Sequence, residues 1–172
     1  MNALDARSHG TRTRTVTWTD PAQSRFRGRG LDGYERLLAI QRGELAPPPA
    51  VALLGMQLDE VEPGRTVFSM LADEVHENPM GTMHGGMLAT LVDTAMGCAV
   101  SSTLDTDEGF TTLELSLNFV RAVTKETGRI TAVGSLVHRG GRVATTEARV
   151  HDDDGNLCAH ATSTCLILRS RT

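Results

Sequence analysis

Apolar and polar positions change rhythm several times along the chain, and each change marks an element. In Leu31–Arg42 (LDGYERLLAIQR), Leu31, Tyr34, Leu37, Leu38 and Gln41 fall on one face at helical spacing. That predicts a short amphipathic helix, closed by Gly43 and barred from continuing by Pro47-Pro48-Pro49. Residues 50–62 open apolar and then alternate, as a helical turn passing into a strand would. After the Pro63-Gly64 turn signal, residues 65–76 predict the next strand. Gly85–Val100 (GGMLATLVDTAMGCAV) is apolar or small all round and free of proline, which predicts a buried helix. Four strand-like runs follow, 110–122, 127–139, 142–151 and 157–168. Gly140-Gly141 and Asp154-Gly155 predict two-residue hairpins between them. Leu113, Leu115, Leu117 and Phe119 alternate with Glu114, Ser116 and Asn118, which predicts a strand with one buried face. Strand, buried helix and antiparallel strands in that order predict an α+β fold, an antiparallel sheet wrapped around one long central helix.

Residues 1–30 have no sustained apolar period. They hold six Arg and two Asp, a net of +4 on a chain whose total is -4. This segment is expected to be a flexible basic N-terminal tail. The domain is expected at 31–172, with a helix and Pro-rich connection at 31–49 and the core at 50–168. At 172 residues the chain suits a single domain. Aromatic residues make up 3% of it, too few for the stacked rings of a single-stranded nucleic-acid platform, and the overall charge is acidic, so no nucleic-acid partner is expected. No apolar run reaches the roughly 18 residues of a membrane span, and no signal-peptide core is present. Three cysteines at irregular spacing do not form a disulfide framework, so the reducing cytoplasm is the expected compartment.

Candidate chemistry gathers on the central helix. Its one charged residue, Asp93, sits mid-helix. Either Asp93 faces solvent or caps a neighbour, or it is a carboxylate placed as general base or nucleophile. At the helix start, Met83-His84-Gly85-Gly86 joins glycines that admit a close ligand to N–H groups without intrahelical partners, which suits an oxyanion. An ordinary tight entry turn has the same composition. Gly85 and Asp93 are eight residues apart, about 12 Å along one helix, so they cannot grip one carbonyl within one chain. If both act, two copies must share the site, and a two-fold dimer with antiparallel central helices would do so. The six histidines lack metal-ligand spacing, and neither a GxSxG elbow nor a Walker loop occurs, so no metal or cofactor is expected.

The run Asn78-Pro-Met-Gly-Thr-Met-His84-Gly85-Gly86-Met-Leu-Ala-Thr-Leu-Val-Asp93 and the later Thr111-Thr112-Leu-Glu-Leu-Ser-Leu-Asn-Phe119 closely resemble the PaaI-like hotdog-fold acyl-CoA thioesterases, over roughly residues 50–168. The resemblance implies a hotdog fold, homodimers paired edge to edge and often stacked into homotetramers, and hydrolysis of acyl-CoA without a cofactor. Asp93 would activate water or attack the thioester carbonyl, and the Gly85 N–H would polarise its oxygen, with His84 bracing the turn. Asn78 would orient water or substrate. Thr112, or Thr111 if the intervening loop is one residue longer than usual, would position the nucleophile. Gly86 and Met87 would line the substrate, and the turn holding Arg139, Gly140, Gly141 and Arg142 would meet the CoA nucleotide and phosphates. Turn chemistry alone also explains those glycines; Met80, Met83 and Met87 could line an adaptable apolar pocket, and core packing explains them equally well. A non-catalytic acyl-CoA sensor and a hotdog dehydratase or hydratase are the competing readings. The His–carboxylate motif of the latter is not found.

Overall fold

A computed structural model describes residues 10–169. Three short helices precede the sheet: α1 (Pro21–Arg27), α2 (Gly33–Gln41) and α3 (Pro49–Leu54). Strands β1 (Gln57–Glu62) and β2 (Arg65–Leu71) follow, then a single 3-10 turn at Glu74–His76, and then the central helix α4 (Gly85–Ser101). Strands β3 (Glu108–Phe119), β4 (Arg129–Arg139), β5 (Val143–Asp152) and β6 (Leu157–Arg169) complete one antiparallel sheet of order β1-β2-β4-β5-β6-β3.

The sheet curls around α4, whose Leu91, Val92, Ala95, Met96, Ala99 and Val100 are fully buried. Two features let helix and sheet approach closely. Gly134 of β4 lies directly against Ala95, where a Cβ would sit 2.5 Å from the backbone carbonyl carbon and oxygen. Beside it, the buried Thr66 hydroxyl donates to the Ala95 carbonyl at 2.7 Å. Phe68, Met70, Ile130, Ala132 and Val150 fill the main core around the N-terminal part of α4. Val100, Leu104, Ala144, Cys165 and Ile167 form a second cluster at its C-terminal end.

The predicted elements are all present, and four details differ. Residues 1–30 carry no apolar period, yet Pro21–Arg27 is helical: Asp20 accepts from the Ala22 N–H and proline opens the first turn. Apolar periodicity misses this helix because it buries none of its residues. Residues 1–9 of that segment, and the end of the domain at 170–172, lie outside the described residues. The two hairpins are longer than two residues. The first spans 140–142, and the second spans 153–156, where Asp152 Oδ1 accepts from the Asn156 N–H at 2.8 Å. The strand read as 65–76 ends at Leu71. Finally, the alternation read across Leu113–Phe119 is broken. A β-bulge between Thr112 and Glu114 pushes Leu113 out of register, and Leu113 and Phe119 are 59% and 57% exposed.

Candidate active site

That bulge builds the site. Leu115 and Leu117 face the core. In an unbroken strand Thr112, three residues before Leu115, would face away from it. The extra residue resets the phase, and the Thr112 hydroxyl donates to Asp93 Oδ1 at 2.9 Å. Thr112 rather than Thr111 is therefore the threonine on the carboxylate; Thr111 is exposed on the opposite face. Asp93 is half-buried two turns into α4 and, among the described residues, has no other hydrogen-bond partner, so Oδ2 is free to act. Nearby, burial and then the Asp93 charge push the Cys98 thiol up to about 12. It therefore stays protonated and does not compete as a nucleophile.

At the head of α4, His84 is the N-cap. Its Nδ1 accepts from the Gly86 N–H at 2.9 Å, which puts the ring proton on Nε2. The His84 carbonyl takes the Met87 N–H at 2.8 Å. Among the described residues the Gly85 N–H has no acceptor, so the turn offers one aligned donor at the positive end of a 17-residue helix. The turn itself is held from behind: the His84 N–H donates to the His76 carbonyl at 2.8 Å, and the Met83 N–H to that of Val123 at 2.7 Å. Phe119 lies across Gly85, where a Cβ would stand 2.8 Å from the ring. Met87 is half-buried against the main core.

Asn78 shapes the entry loop. Its Oδ1 accepts from the Met80 and Thr82 N–H groups, and its Nδ2 donates to the Thr82 hydroxyl at 2.9 Å. Its hydrogen bonds all fall within its own loop, and one Nδ2 proton remains for a ligand.

The turn 138–142 stands apart from Asp93 in its bonding. The Arg139 guanidinium is paired with Glu108 at the start of β3, and Arg169 Nε reaches the same carboxylate at 3.2 Å. The Glu108 side chain is 2% exposed. Burial raises its carboxyl, but the Asp105 N–H and the two arginines outweigh that and hold it below the usual range. Sequence reasoning missed Glu108, whose partners lie 31 and 61 residues away. Arg142 is exposed at the tip, Gly140 closes the turn by donating to the Val143 carbonyl at 2.8 Å, and Gly141 faces open space. Among the described residues no group of three or more His, Cys, Asp or Glu is placed to hold a metal, and no helix is long and apolar enough to cross a membrane.

Residues 80–159, the span from the entry loop to the start of β6, match the family model of the thioesterase superfamily. Among curated relatives, the 1,4-dihydroxy-2-naphthoyl-CoA hydrolase of Listeria monocytogenes is 25% identical over 69% of this chain and 94% of its own length. The medium/long-chain acyl-CoA thioesterase YigI of Escherichia coli is 29% identical over 66% of this chain and 82% of its own. Among solved structures, a phenylacetic acid degradation-related protein from Ralstonia eutropha is 30% identical. It covers 76% of this chain and 98% of itself, with a TM-score of 0.69. With a six-stranded antiparallel sheet closed on one central helix, the chain belongs to the thioesterase superfamily and is a thioester hydrolase of the hotdog fold.

Proposed function

We propose that the chain hydrolyses acyl-CoA thioesters to the free acid and CoA in a site shared by two subunits. The observation that carries this reading is the Thr112–Asp93 hydrogen bond, which orients one oxygen of a mid-helix carboxylate and leaves the other unpaired. Asp93 acts as general base on water or as nucleophile on the thioester carbonyl. The developing oxyanion is held by the N–H of Gly85 of the partner subunit, a donor that His84 leaves free by capping Gly86 instead. Because a thiolate leaves readily, one base and one oxyanion donor suffice, with neither metal nor cofactor. Asn78 uses its remaining amide proton on water or substrate. Gly86 and Met87 line the reacting end. The CoA phosphates meet Arg142 at the tip of its turn, while Arg139 holds that turn through Glu108.

Two observations support a homodimer. Gly85 and Asp93 lie about 12 Å apart along one helix. Strand β3 is an edge of the sheet, with Leu113, Phe119 and Val120 more than half exposed along it. Pairing of β3 with a second copy would cover them, and stacked dimers would make the tetramer. Acyl-CoA relatives and the absence of a described membrane-spanning helix fit work in the cytoplasm.

The test is thiol release from a panel of acyl- and aryl-CoA esters. Asp93→Asn is expected to lower kcat by about 10²–10⁴ with the subunit assembly unchanged. Tight CoA binding without hydrolysis across the panel would instead identify a sensing module.

A further inference from the structure

Next to Asp93 on the central helix, Thr94 and Cys98 stand one turn apart and open onto a cavity of about 220 Å³. Asp93, Thr94 and Cys98 are half-buried, whereas Leu91, Val92, Ala95 and Met96 are wholly buried against the sheet. The cavity therefore lies along the side of α4 that the sheet leaves open. Leu37 and Ile40 of α2, Pro48 and Val51 around the start of α3, and Phe68 of β2 supply most of the rest of its lining. Among the described residues no charged side chain lines it, and the Gln41 amide at its edge already donates to the Asp59 carbonyl at 2.6 Å.

A lining without charge favours an uncharged hydrocarbon occupant. Its size follows from volume. A cavity of about 150 Å³ holds one benzene ring, so one of about 220 Å³ takes a chain of roughly eight carbons. Its position follows from α4. Thr94 is the residue after Asp93, and the Asp93 charge reaches the Cys98 thiol, so a thioester carbonyl held at Asp93 sets the first acyl carbons at the mouth of this cavity. Its length is limited by α2. Ile40, with Pro47 and Pro48, lines both this cavity and a neighbouring one of about 480 Å³ between α1 and α2, and so separates the two. We infer, on the acyl-CoA hydrolysis proposed above, that this cavity is the acyl pocket, that it selects straight aliphatic acyl groups of about eight carbons, and that Ile40 sets the length. Asp93, Gly85 and Thr112 lie inside residues 80–159, the span matched by the family model, whereas α2, Pro48 and α3 all precede it. Chain-length selection thus belongs to the N-terminal segment, apart from the hydrolytic groups.

The test is kcat/KM of the whole chain for straight saturated esters from acetyl-CoA to hexadecanoyl-CoA, with phenylacetyl-CoA alongside. Each methylene buried is worth a factor of about four, so kcat/KM should climb about fourfold per methylene from butyryl- to octanoyl-CoA and then level off, with phenylacetyl-CoA below octanoyl-CoA. Ile40 belongs to neither core cluster, so its substitution leaves the core intact. Ile40→Ala joins the two cavities and should move the optimum to dodecanoyl-CoA or longer. Ile40→Trp fills the pocket and should cut the octanoyl-CoA value about 10–100-fold. Acetyl-CoA turnover should stay unchanged in both variants, since two carbons do not reach α2. A flat profile, a preference for butyryl- or phenylacetyl-CoA, or an optimum that Ile40→Ala leaves in place overturns the assignment while hydrolysis at Asp93 stands. So does an octanoyl-CoA value that survives Ile40→Trp in folded protein. Absence of hydrolysis from every ester overturns the hydrolytic reading, and this inference with it.

Discussion

On the proposed reading, the Thr112 hydroxyl is what separates Asp93 from an ordinary helical aspartate. Asp93 takes one described hydrogen bond, and its donor is placed by the β-bulge between Thr112 and Glu114. Thr112→Val keeps the shape and removes the donor. A hydrogen bond to a charged group is worth about 1.5–3 kcal/mol, so kcat is expected to fall about 10–100-fold, with KM for acyl-CoA nearly constant. Steady-state kinetics on one good ester decide it; a loss confined to KM would make Thr112 a binding residue. Asp93, Gly85 and His84 were legible in the sequence because helix position and backbone chemistry follow directly from residue order. The choice between Thr111 and Thr112 was not, because the phase of a strand depends on an inserted residue that periodicity does not reveal. Asn78 and Arg139 were legible as candidates but not in their bonding. The first is engaged by its own loop, and the second by Glu108, brought to it only by the fold.

At the scale of elements, the close seating of α4 on the sheet and the clasp around Glu108 each make a prediction. Gly134→Ala would drive a methyl to 2.5 Å from the Ala95 backbone, which neither helix nor strand can yield cheaply. Overpacking of this kind costs about 1–3 kcal/mol or more, a fall in Tm of at least about 3 °C. Gly109→Ala is the control: it lies in β3 with nothing within 4 Å of the added carbon, and its Tm should stay within about 1 °C. Glu108 joins the start of β3 to the ends of β4 and β6 through Arg139 and Arg169. Its carboxyl is held below the usual value in the folded chain, so the stability it adds is present above the ordinary carboxylate range and disappears as pH falls through the folded value. Glu108→Gln should therefore lower the Tm clearly at pH 7, and the gap from wild type should narrow toward pH 3. A gap independent of pH would mean that packing, not charge, carries the contribution. The elements themselves were the most legible part of the fold, since each strand and the central helix has its own apolar rhythm. Helix α1 was hidden because it contributes no buried face.

At the scale of the whole molecule, the proposed reading places the two halves of the site too far apart in one chain to cooperate, and β3 leaves an open sheet edge at which a second chain could complete them. Mixing variants tests this arrangement independently of any substrate preference. Gly85→Pro deletes the proposed oxyanion donor at a helix position where proline is tolerated. What it would meet is the tip of the Phe119 side chain rather than backbone. Asp93→Asn deletes the base. Each homodimer should be nearly inactive. When the two proteins are unfolded together and refolded at equal amounts, half of the dimers contain one chain of each. In such a dimer the shared-site geometry puts the intact Asp93 of one chain with the intact Gly85 of its partner in one of the two pockets. Activity should then return to about a quarter of wild type, on statistical pairing of two-fold dimers. If each chain held its own complete site, every pocket in the mixture would lack one group and no activity would return. Failure to regain activity from mixed dimers, verified as mixed by mass spectrometry, would place both groups within one subunit and end the case for a catalytic pair.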